Sequence, residues 1–170
     1  MYNWVMKVLI MGASGSGKTF LSKKFRAAGR NALDADELDE LHGWYNWEKK
    51  KVPFPKDAGR EFLENHEFLW NRKFLENLLA RNPDIYLFGN SGNIPEVSYL
   101  FDKIYFLKVP YEILIKRLDH KTRTNPMGKT DSQKQIIIEW AKKNEKEAKA
   151  LGAEFIDGTL TPEEILKLIF

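Results

Sequence analysis

The strongest chemical signal in the sequence is a glycine-rich stretch, GASGSGKT, at residues 12–19. Four residues separate Gly12 from the triplet Gly17-Lys18-Thr19. Glycines let the backbone turn its N–H groups toward an anion, and a helix that follows presents its positive end to the same place. The stretch therefore predicts a phosphate-binding loop, in which Lys18 reaches the β- and γ-phosphates of a nucleotide and the Thr19 hydroxyl ligates magnesium.

The residues on either side of this loop predict the elements that hold it. Residues 7–11 (KVLIM) form a short apolar run, typical of a strand that is buried on both faces. Residues 18–28 carry apolar side chains at helical spacing, and Gly29 is a suitable helix stop. Residues 31–33 then predict a second short strand. The local order is strand, glycine loop, helix, strand.

The same alternation continues along the chain. Apolar runs of strand length recur at residues 84–88, 103–107 and 154–156. Helices are predicted at residues 110–120, from a cap at Asp131 or Ser132 to residue 151, and from a capping box that starts at Thr161. Strands that alternate with helices predict an α/β fold of three layers, with a five-stranded parallel sheet and helices on both of its faces.

The segment between the second and third strands is less regular. Residues 37–60 predict a helix start followed by an irregular aromatic segment that contains Trp44, Tyr45 and Trp47. These aromatic side chains either stack on a flat ligand ring or pack a small subdomain against the sheet. The apolar spacing over residues 57–81 predicts one or two amphipathic helices.

Acidic side chains that could hold a metal lie at the end of the second strand, in the sequence LDAD at residues 33–36. In switch-type and motor ATPases the carboxylate for the metal ends a later apolar strand, but here the strand at residues 84–88 runs into glycine and asparagine. The hydrolytic signature of those proteins is therefore missing at that strand. For Asp36 the alternative role is a helix cap, which aspartate serves well.

Together, the glycine loop and the LDAD sequence resemble the small P-loop kinases grouped with shikimate kinase, gluconate kinase and adenylate kinase. The resemblance covers most of the chain in layout, and its specific motifs are short. It implies a P-loop NTPase fold in a single domain over residues 1–170. It also implies an acceptor-binding insert at residues 37–80 and a lid at residues 117–131, which we call the insert and the lid.

The resemblance assigns roles to individual residues. The Asp-x-Asp element of the shikimate and gluconate branches implies that Asp34 belongs to the metal shell and that Asp36 orients the acceptor hydroxyl or also acts as the base. Lid arginines supply charge to the transferring phosphoryl group, and Arg123 is the first choice for that role and Arg117 the second, unless both are solvated arginines of a surface turn. Residues 156–159 resemble the loop beside the adenine. The residues implied in nucleotide binding are Gly12, Ser14, Gly15, Ser16, Gly17, Lys18, Thr19 and Phe20.

The motifs do not identify the acceptor. The third predicted strand ends in GNSGN, residues 89–93, which is neither the triple-glycine element of shikimate kinase nor the acidic element of adenylate kinases. The neutral side chains there suit hydroxyls or the edge of a nucleobase, or they close a turn. Arg60 and Arg72 either hold an anionic acceptor by bidentate contacts or lie exposed on a helix.

The amino-acid composition excludes several classes of protein. Of 170 residues, 43% are hydrophobic and 30% are charged, as in an ordinary globular domain, and the lack of cysteine excludes disulfide scaffolds, thiolate metal sites and cysteine nucleophiles. The first apolar run, residues 4–11, is broken by Lys7 and is too short for a signal anchor, so we expect a cytoplasmic protein without a membrane segment. The net charge of +3 does not favour nucleic acid as a partner, although residues 116–149 hold ten basic and five acidic side chains.

These observations predict an ATP- and Mg²⁺-dependent phosphotransferase that acts on a small-molecule acceptor, as a monomer or homodimer. A nucleoside or nucleotide kinase on the same fold is the first alternative, which the aromatic segment and the Asn/Ser loop favour. A non-catalytic ATP-binding sensor that recruits a partner is the second, and a nucleic-acid end kinase is the third.

Overall fold

A computed structural model of the protein describes residues 5–120 and 127–170. Its strands are β1 (Lys7–Gly12), β2 (Ala32–Asp34), β3 (His42–Tyr45), β4 (Lys51–Val52), β5 (Glu67–Trp70), β6 (Ile85–Phe88), β7 (Lys103–Lys108) and β8 (Glu154–Asp157). Its helices are α1 (Lys18–Ala27), α2 (Arg60–Asn65), α3 (Arg72–Arg81), α4 (Ile94–Val97), α5 (Tyr111–Leu118), α6 (Asp131–Ala150) and α7 (Pro162–Ile169). Residues 121–126, which belong to the predicted lid, lie outside the described residues.

The central sheet contains five strands in the order β2-β6-β1-β7-β8. Each pair of neighbours in this sheet is parallel. All five strands were predicted from the sequence, to within one residue at each end. With helices packed on both faces of the sheet, the predicted three-layer α/β fold is confirmed.

The two faces of β1 pack into separate apolar clusters. Val8 and Ile10 belong to the cluster on the side of α1 and α7, which also contains Phe25. Leu9 and Met11 belong to the cluster on the opposite side, which α3, α4 and α6 cover. All four β1 side chains are fully buried, and burial of each stabilises the fold by roughly 1.5–3 kcal/mol. The strand that leads into the glycine loop is therefore firmly held on both of its faces.

The register of the parallel strands brings several loops to one edge. Ile10 pairs with Phe88, and Phe88 pairs with Asp34 on β2. Gly12 follows two residues after Ile10 and pairs with Leu107 on β7. The glycine loop, the acidic pair and the loop after β6 therefore begin at the same carboxyl edge, which is where open α/β sheets bind ligands.

The helix caps differ slightly from the prediction. The cap of α6 is Thr130, whose hydroxyl accepts the Gln133 N–H at 3.2 Å, rather than Asp131 or Ser132. The capping box at Thr161 is confirmed, since the side chains of Thr161 and Glu164 each accept the backbone N–H of the other residue.

Of the described helices, none is both long enough and apolar enough to cross a lipid bilayer.

The insert differs most from the prediction, because it contains a small antiparallel sheet in the order β4-β3-β5. The aromatic segment predicted as irregular forms β3 and β4, and β5 interrupts the helical run predicted over residues 57–81. In the turn between β3 and β4, Asn46 Oδ1 accepts the Lys50 N–H at 2.9 Å, and Lys49 takes a positive φ of 60°. This turn contains no glycine, so it lacks the usual sequence signal of a hairpin.

Strand β5 separates α2 from α3 because an asparagine restarts the helix. Asn71 Oδ1 accepts the Phe74 N–H at 3.1 Å and so caps α3. His66, at the end of α2, already has an extended backbone. An asparagine cap inside an apparently helical run is a signal of two separate helices, and our sequence analysis overlooked it.

The side chain of Gln133 ties the insert to α6. Gln133 is 2% exposed, and its Nε2 donates to Ala58 O at 2.8 Å. Its Oε1 accepts the N–H groups of Gly128 and Lys129 at 3.0 Å each. One buried amide therefore joins α6, the insert and the residues just before α6.

Gln133→Leu should lower the free energy of unfolding by about 2–3 kcal/mol, because a buried backbone group that loses its partner costs roughly 1–3 kcal/mol. Urea denaturation followed by tryptophan fluorescence measures the change. Gln135→Leu, the same substitution at an exposed position of α6, is the control and should change the stability by less than about 0.5 kcal/mol. Equal effects of the two substitutions would contradict the role assigned to Gln133.

Candidate active site

The glycine loop has a backbone conformation that glycine adopts more easily than other residues. Gly15 and Gly17 have φ angles of 84° and 101°, in the left-handed region. At Gly12 the limit is space, since a Cβ there would lie 2.5 Å from Ser16 Oγ. The loop then enters α1 without a side-chain cap on the helix N-terminus. The first N–H groups of α1 are therefore available to an anion held by the loop.

Lys18 places its ammonium group over the loop. Its Nζ donates to Gly12 O at 2.7 Å and to Ala13 O at 3.0 Å. The first turn of α1 contains no acidic residue. The lysine charge and the positive end of the helix therefore act on the same volume. Thr19 and Phe20, the other predicted binding residues at this helix start, are exposed.

Arg117 contacts the glycine loop from α5. Its Nη1 donates to Ser16 O at 3.1 Å and to Gly15 O at 3.5 Å, and its Nη2 donates to Gly158 O at 3.3 Å. The guanidinium group thus joins the glycine loop to the segment after β8. Arg117 therefore lies in the candidate site, where it donates to backbone carbonyls. Its role of supplying charge to the transferring phosphoryl group stays a prediction. Arg123 lies outside the described residues.

Asp34 is buried at the carboxyl end of β2, with 1% of its surface exposed. Its Oδ1 accepts the Asp36 N–H at 3.0 Å and so caps the 3-10 turn Ala35–Glu37. The capping role that we considered for Asp36 therefore belongs to Asp34. Among the described residues, Asp34 Oδ2 has no hydrogen-bond partner. Asp36 is exposed just beyond it.

The oxygen atoms at this edge fit a magnesium ion that arrives with a nucleotide. Ser16 Oγ is buried and, like Asp34 Oδ2, has no hydrogen-bond partner within the described part of the chain. Over residues 5–120 and 127–170, no cluster of three His, Cys, Asp or Glu side chains could hold a metal by itself. Mg²⁺ in nucleotide sites usually takes one or two carboxylates together with waters and substrate phosphates. The unpartnered carboxylate oxygen of Asp34 suits such a site, and the role of Thr19 as a second protein ligand stays a prediction.

The loop after β6 is held by its own side chains. Asn93 Oδ1 accepts the Trp70 N–H at 2.9 Å and the Ser91 hydroxyl at 2.8 Å, while Asn93 Nδ2 donates to Trp70 O at 3.0 Å. Ser91 and Asn93 are both buried. The side chains of this loop were expected either to bind a ligand or to close a turn. Ser91 and Asn93 close the turn. Asn90 is half-buried, and its Oδ1 accepts the Ser91 N–H at 3.0 Å.

Trp70 is a residue of this edge that the sequence analysis missed. It is 2% exposed and packs against Gly89, where a Cβ would lie 2.6 Å from Trp70 Cζ2 and 2.6 Å from Ala35 Cβ. Its Nε1 has no hydrogen-bond partner among the described residues. The indole therefore lies beside both the loop after β6 and the acidic turn. The alternation of Phe68 and Trp70 before the Asn71 cap is the signal that could have revealed it.

The three aromatic residues of the predicted irregular segment separate in the structure. Trp44 packs against Phe54 at a ring-centroid distance of 5.4 Å and against Trp140 of α6 at 6.3 Å. Tyr45 is half-buried, and Trp47 is 63% exposed in the β3–β4 turn. Trp44 therefore has a packing role, as in one of the two alternatives, but it packs the insert against α6 and not against the sheet. Trp47 has no such role.

The two arginines considered for an anionic acceptor are already paired. Arg60 donates to both carboxylate oxygens of Glu139 at 3.2 Å, and this pairing lowers the pKa of Glu139. Arg72 donates to Glu76 at 2.8 Å, and this pairing lowers the pKa of Glu76. Such exposed pairs add little stability. They do, however, hold both guanidinium groups against helix surfaces.

Residues 156–159, predicted to lie beside the adenine, form the end of β8 and the start of the turn that follows it. Asp157 Oδ1 accepts the hydroxyl and the N–H of Thr159 at 2.6 and 2.8 Å, and these bonds lower the pKa of Asp157. Gly158 N donates to Lys108 O at 2.8 Å, and a Cβ on Gly158 would lie 2.5 Å from Val109 Cγ2. The turn therefore depends on a close approach of backbone to β7.

Gly89→Ala should displace Trp70 and lower the free energy of unfolding by about 1–3 kcal/mol, because the added methyl group would overlap two packed carbons. Urea denaturation measures the loss, and the native fluorescence spectrum reports the displaced indole. Gly59→Ala is the matched control, because nothing lies within 4 Å of a Cβ there and its φ of −92° suits alanine. If the two variants proved equally stable, the proposed packing of Trp70 would be wrong.

Comparison with known proteins gives matches only at the level of structure. No protein-family model matches the sequence, and no curated protein matches it significantly. A shikimate kinase from Acinetobacter baumannii in complex with shikimate matches with a TM-score of 0.62 and 18% identity, over 97% of this chain and 93% of that chain. A gluconokinase from Sinorhizobium meliloti 1021 matches with a TM-score of 0.56 and 17% identity, over 98% and 90% of the two chains.

A third solved structure extends the comparison to a different acceptor. A deoxyadenosine kinase from M. mycoides with bound dATP matches with a TM-score of 0.54 and 14% identity, over 96% of each chain. At these identities the likeness establishes the fold. The strand order, the glycine loop and these structures together show that the chain has the fold of the P-loop kinases.

Proposed function

We propose that the protein is an ATP- and Mg²⁺-dependent phosphotransferase that transfers a phosphoryl group to a hydroxyl of a small molecule. The observation that carries the proposal is the shared edge of the sheet: the glycine loop with Lys18 and the acidic turn with Asp34 and Asp36 begin at the same end of paired strands. The names of the structural neighbours, gluconokinase, shikimate kinase and deoxyadenosine kinase, support the same reaction class.

In this proposal the glycine loop binds the nucleotide. The backbone N–H groups of the loop and Lys18 hold the β- and γ-phosphates, because both place positive charge at the start of α1. Thr19 and Asp34 hold the magnesium ion, which when bound offsets negative charge on the phosphates. Arg117 keeps the loop in its binding conformation through the loop carbonyls. As proposed catalytic arginines, Arg117 and Arg123 add positive charge to the transferring group.

In this proposal Asp36 is the residue that binds the hydroxyl of the acceptor. It is exposed beyond the buried Asp34, so it is the carboxylate of the pair that an acceptor can reach. Asp36 orients the acceptor hydroxyl and takes its proton while the hydroxyl oxygen forms a bond to the γ-phosphorus. The bond from the γ-phosphorus to the oxygen of the β-phosphate breaks, and ADP leaves. Water must be excluded during this step, which is the role we propose for the lid.

A nucleoside or nucleotide kinase is the second candidate function. It is favoured by the half-buried aromatic pair of His42 and Phe68, since His42 Nε2 lies 3.4 Å from the backbone oxygen of Asp36. The cytoplasm stays the proposed location, and a monomer or homodimer the proposed assembly.

Lys18→Met should remove phosphoryl transfer without unfolding the protein, because methionine keeps the length of the side chain and loses its charge. We expect kcat to fall at least about a hundredfold, as for the loss of one charge-stabilising donor. ADP release with a panel of sugar acids, shikimate and nucleosides measures transfer, and circular dichroism checks the fold. Lys23→Met, at an exposed position of α1, is the control. Turnover retained by the Lys18 variant would refute the assignment.

Asp34→Asn should raise the magnesium concentration needed for half-maximal ADP release by about tenfold or more, because an amide is a weaker ligand than a carboxylate. Asp36→Asn is the comparison: it should reduce transfer without changing the magnesium requirement. If Asp34→Asn also left the magnesium requirement unchanged, Asp34 would serve only as the cap of the 3-10 turn.

A further inference from the structure

One face of the small antiparallel sheet is formed by aromatic rings. β3 and β5 pair His42 with Trp70 and Trp44 with Phe68. Cross-strand partners project to the same side of a sheet, and residues two apart on one strand share that side as well. His42, Trp44, Phe68 and Trp70 therefore lie on one side, and we call these four residues the aromatic face.

The aromatic face extends from the acidic turn to α6. At one end, His42 Nε2 lies 3.4 Å from the backbone oxygen of Asp36. At the other end, Trp44 packs against Trp140 of α6. The aromatic face therefore begins beside the backbone of Asp36, the residue that we propose to bind the acceptor hydroxyl.

The middle of the aromatic face remains partly open. The rings of His42 and Phe68 lie 5.2 Å apart with 36° between their planes, and both residues are half-buried. Phe68 also contacts Trp44 at a ring-centroid distance of 5.4 Å. Trp70, at the end of the same face, is by contrast fully buried. Partly open rings beside a proposed catalytic carboxylate suit a ligand that stacks on them.

The charges of the insert favour an uncharged ligand. The aromatic face contains no lysine or arginine that could bind an acidic substituent. Arg60 and Arg72 are held by Glu139 and Glu76. An acidic molecule on this face would also lie close to the carboxylate of Asp36, which would repel it.

We propose that the aromatic face is the acceptor subsite, and that it takes an uncharged molecule with a flat unsaturated ring and a hydroxyl group, as in a nucleoside. The inference rests on the proposed function, because the hydroxyl beside Asp36 is the group that receives the phosphoryl group. The ring stacks on Phe68 and His42, and every nucleobase offers a π-face for such stacking. A sugar acid offers a carboxylate and no flat ring.

The first test is binding without ATP. Wild-type protein is titrated with adenosine, guanosine, cytidine and thymidine, and separately with gluconate and shikimate. Trp44 lies on the aromatic face, so its fluorescence reports a ring that stacks there. We expect at least one nucleoside to quench the fluorescence saturably and to accelerate ADP release in the presence of ATP and magnesium, and the two acids to do neither.

Variants of Phe68 test the face itself. Phe68→Leu should raise both Kd and KM of that nucleoside about tenfold or more while the affinity for ATP stays unchanged, since leucine keeps an apolar side chain and loses the π-face. Phe68→Tyr keeps the ring and should retain binding. Phe155→Leu, a partly exposed position on β8, is the matched control and should bind as the wild type does.

The outcomes separate the two proposals. Turnover of gluconate or shikimate with no nucleoside binding would overturn the inference and leave the phosphotransferase in place. ATP binding with no nucleoside signal in either measurement would overturn it as well, and so would a Phe68→Leu variant that binds nucleosides normally. A protein that binds no ATP with magnesium present would instead overturn the proposed function, and the inference with it.

Discussion

The parallel pairing of β2, β6 and β1 is the constraint on which the candidate site depends. Ile10, Phe88 and Asp34 lie in one row across these strands, so the glycine loop and the acidic turn start two strand spacings apart, roughly 5 Å each. A shift of one residue in either pairing would turn every side chain of the shifted strand to the opposite face. Because the side chains of residues 8–11 are fully buried on both faces, such a shift would disrupt two apolar clusters at once. Packing of the strand below the glycine loop therefore sets the distance across which the proposed transfer occurs.

Two kinds of interaction build the two halves of the site. The half proposed to bind the nucleotide is mostly backbone: Gly15 and Gly17 provide left-handed turns, and the cations of Lys18 and Arg117 bind loop carbonyls. The half proposed to bind the acceptor is built from side chains of the insert. That insert is held by the buried amide of Gln133, which bonds Ala58, and by the buried amide of Asn93, which bonds Trp70. The first half therefore follows from local sequence, whereas the second depends on contacts between residues far apart in the chain.

This difference explains what the sequence could and could not predict. The five central strands were predicted because each is a short apolar run next to a glycine, a proline or an acidic residue, and the glycine loop was recognised because its conformation requires particular residues at fixed spacing. In the insert, the apolar residues Phe62, Leu63, Phe68 and Leu69 have a spacing that also fits a helix, so β5 was missed. The β3–β4 turn uses Asn46 and Lys49 instead of glycine. The positions of Trp70 and Gln133 are fixed by partners 23 and 75 residues away, which no local pattern reports.

The ion pairs of Arg60 and Arg72 affect whether the proposed site favours an acidic or an uncharged acceptor. Hydrogen bonds from Arg60 lower the pKa of Glu139, and hydrogen bonds from Arg72 lower the pKa of Glu76. A lowered carboxyl pKa means that each pair is present above the ordinary pKa of glutamate and is lost only as the pH falls through the lowered value. Both pairs are therefore intact near neutral pH. An acidic acceptor would compete with Glu139 or Glu76 for its arginine, whereas an uncharged acceptor that stacks on the aromatic face leaves both pairs as they are. If the cationic glycine loop binds the nucleotide as proposed, aromatic rings in place of basic side chains at the proposed acceptor position disfavour a second polyanion there.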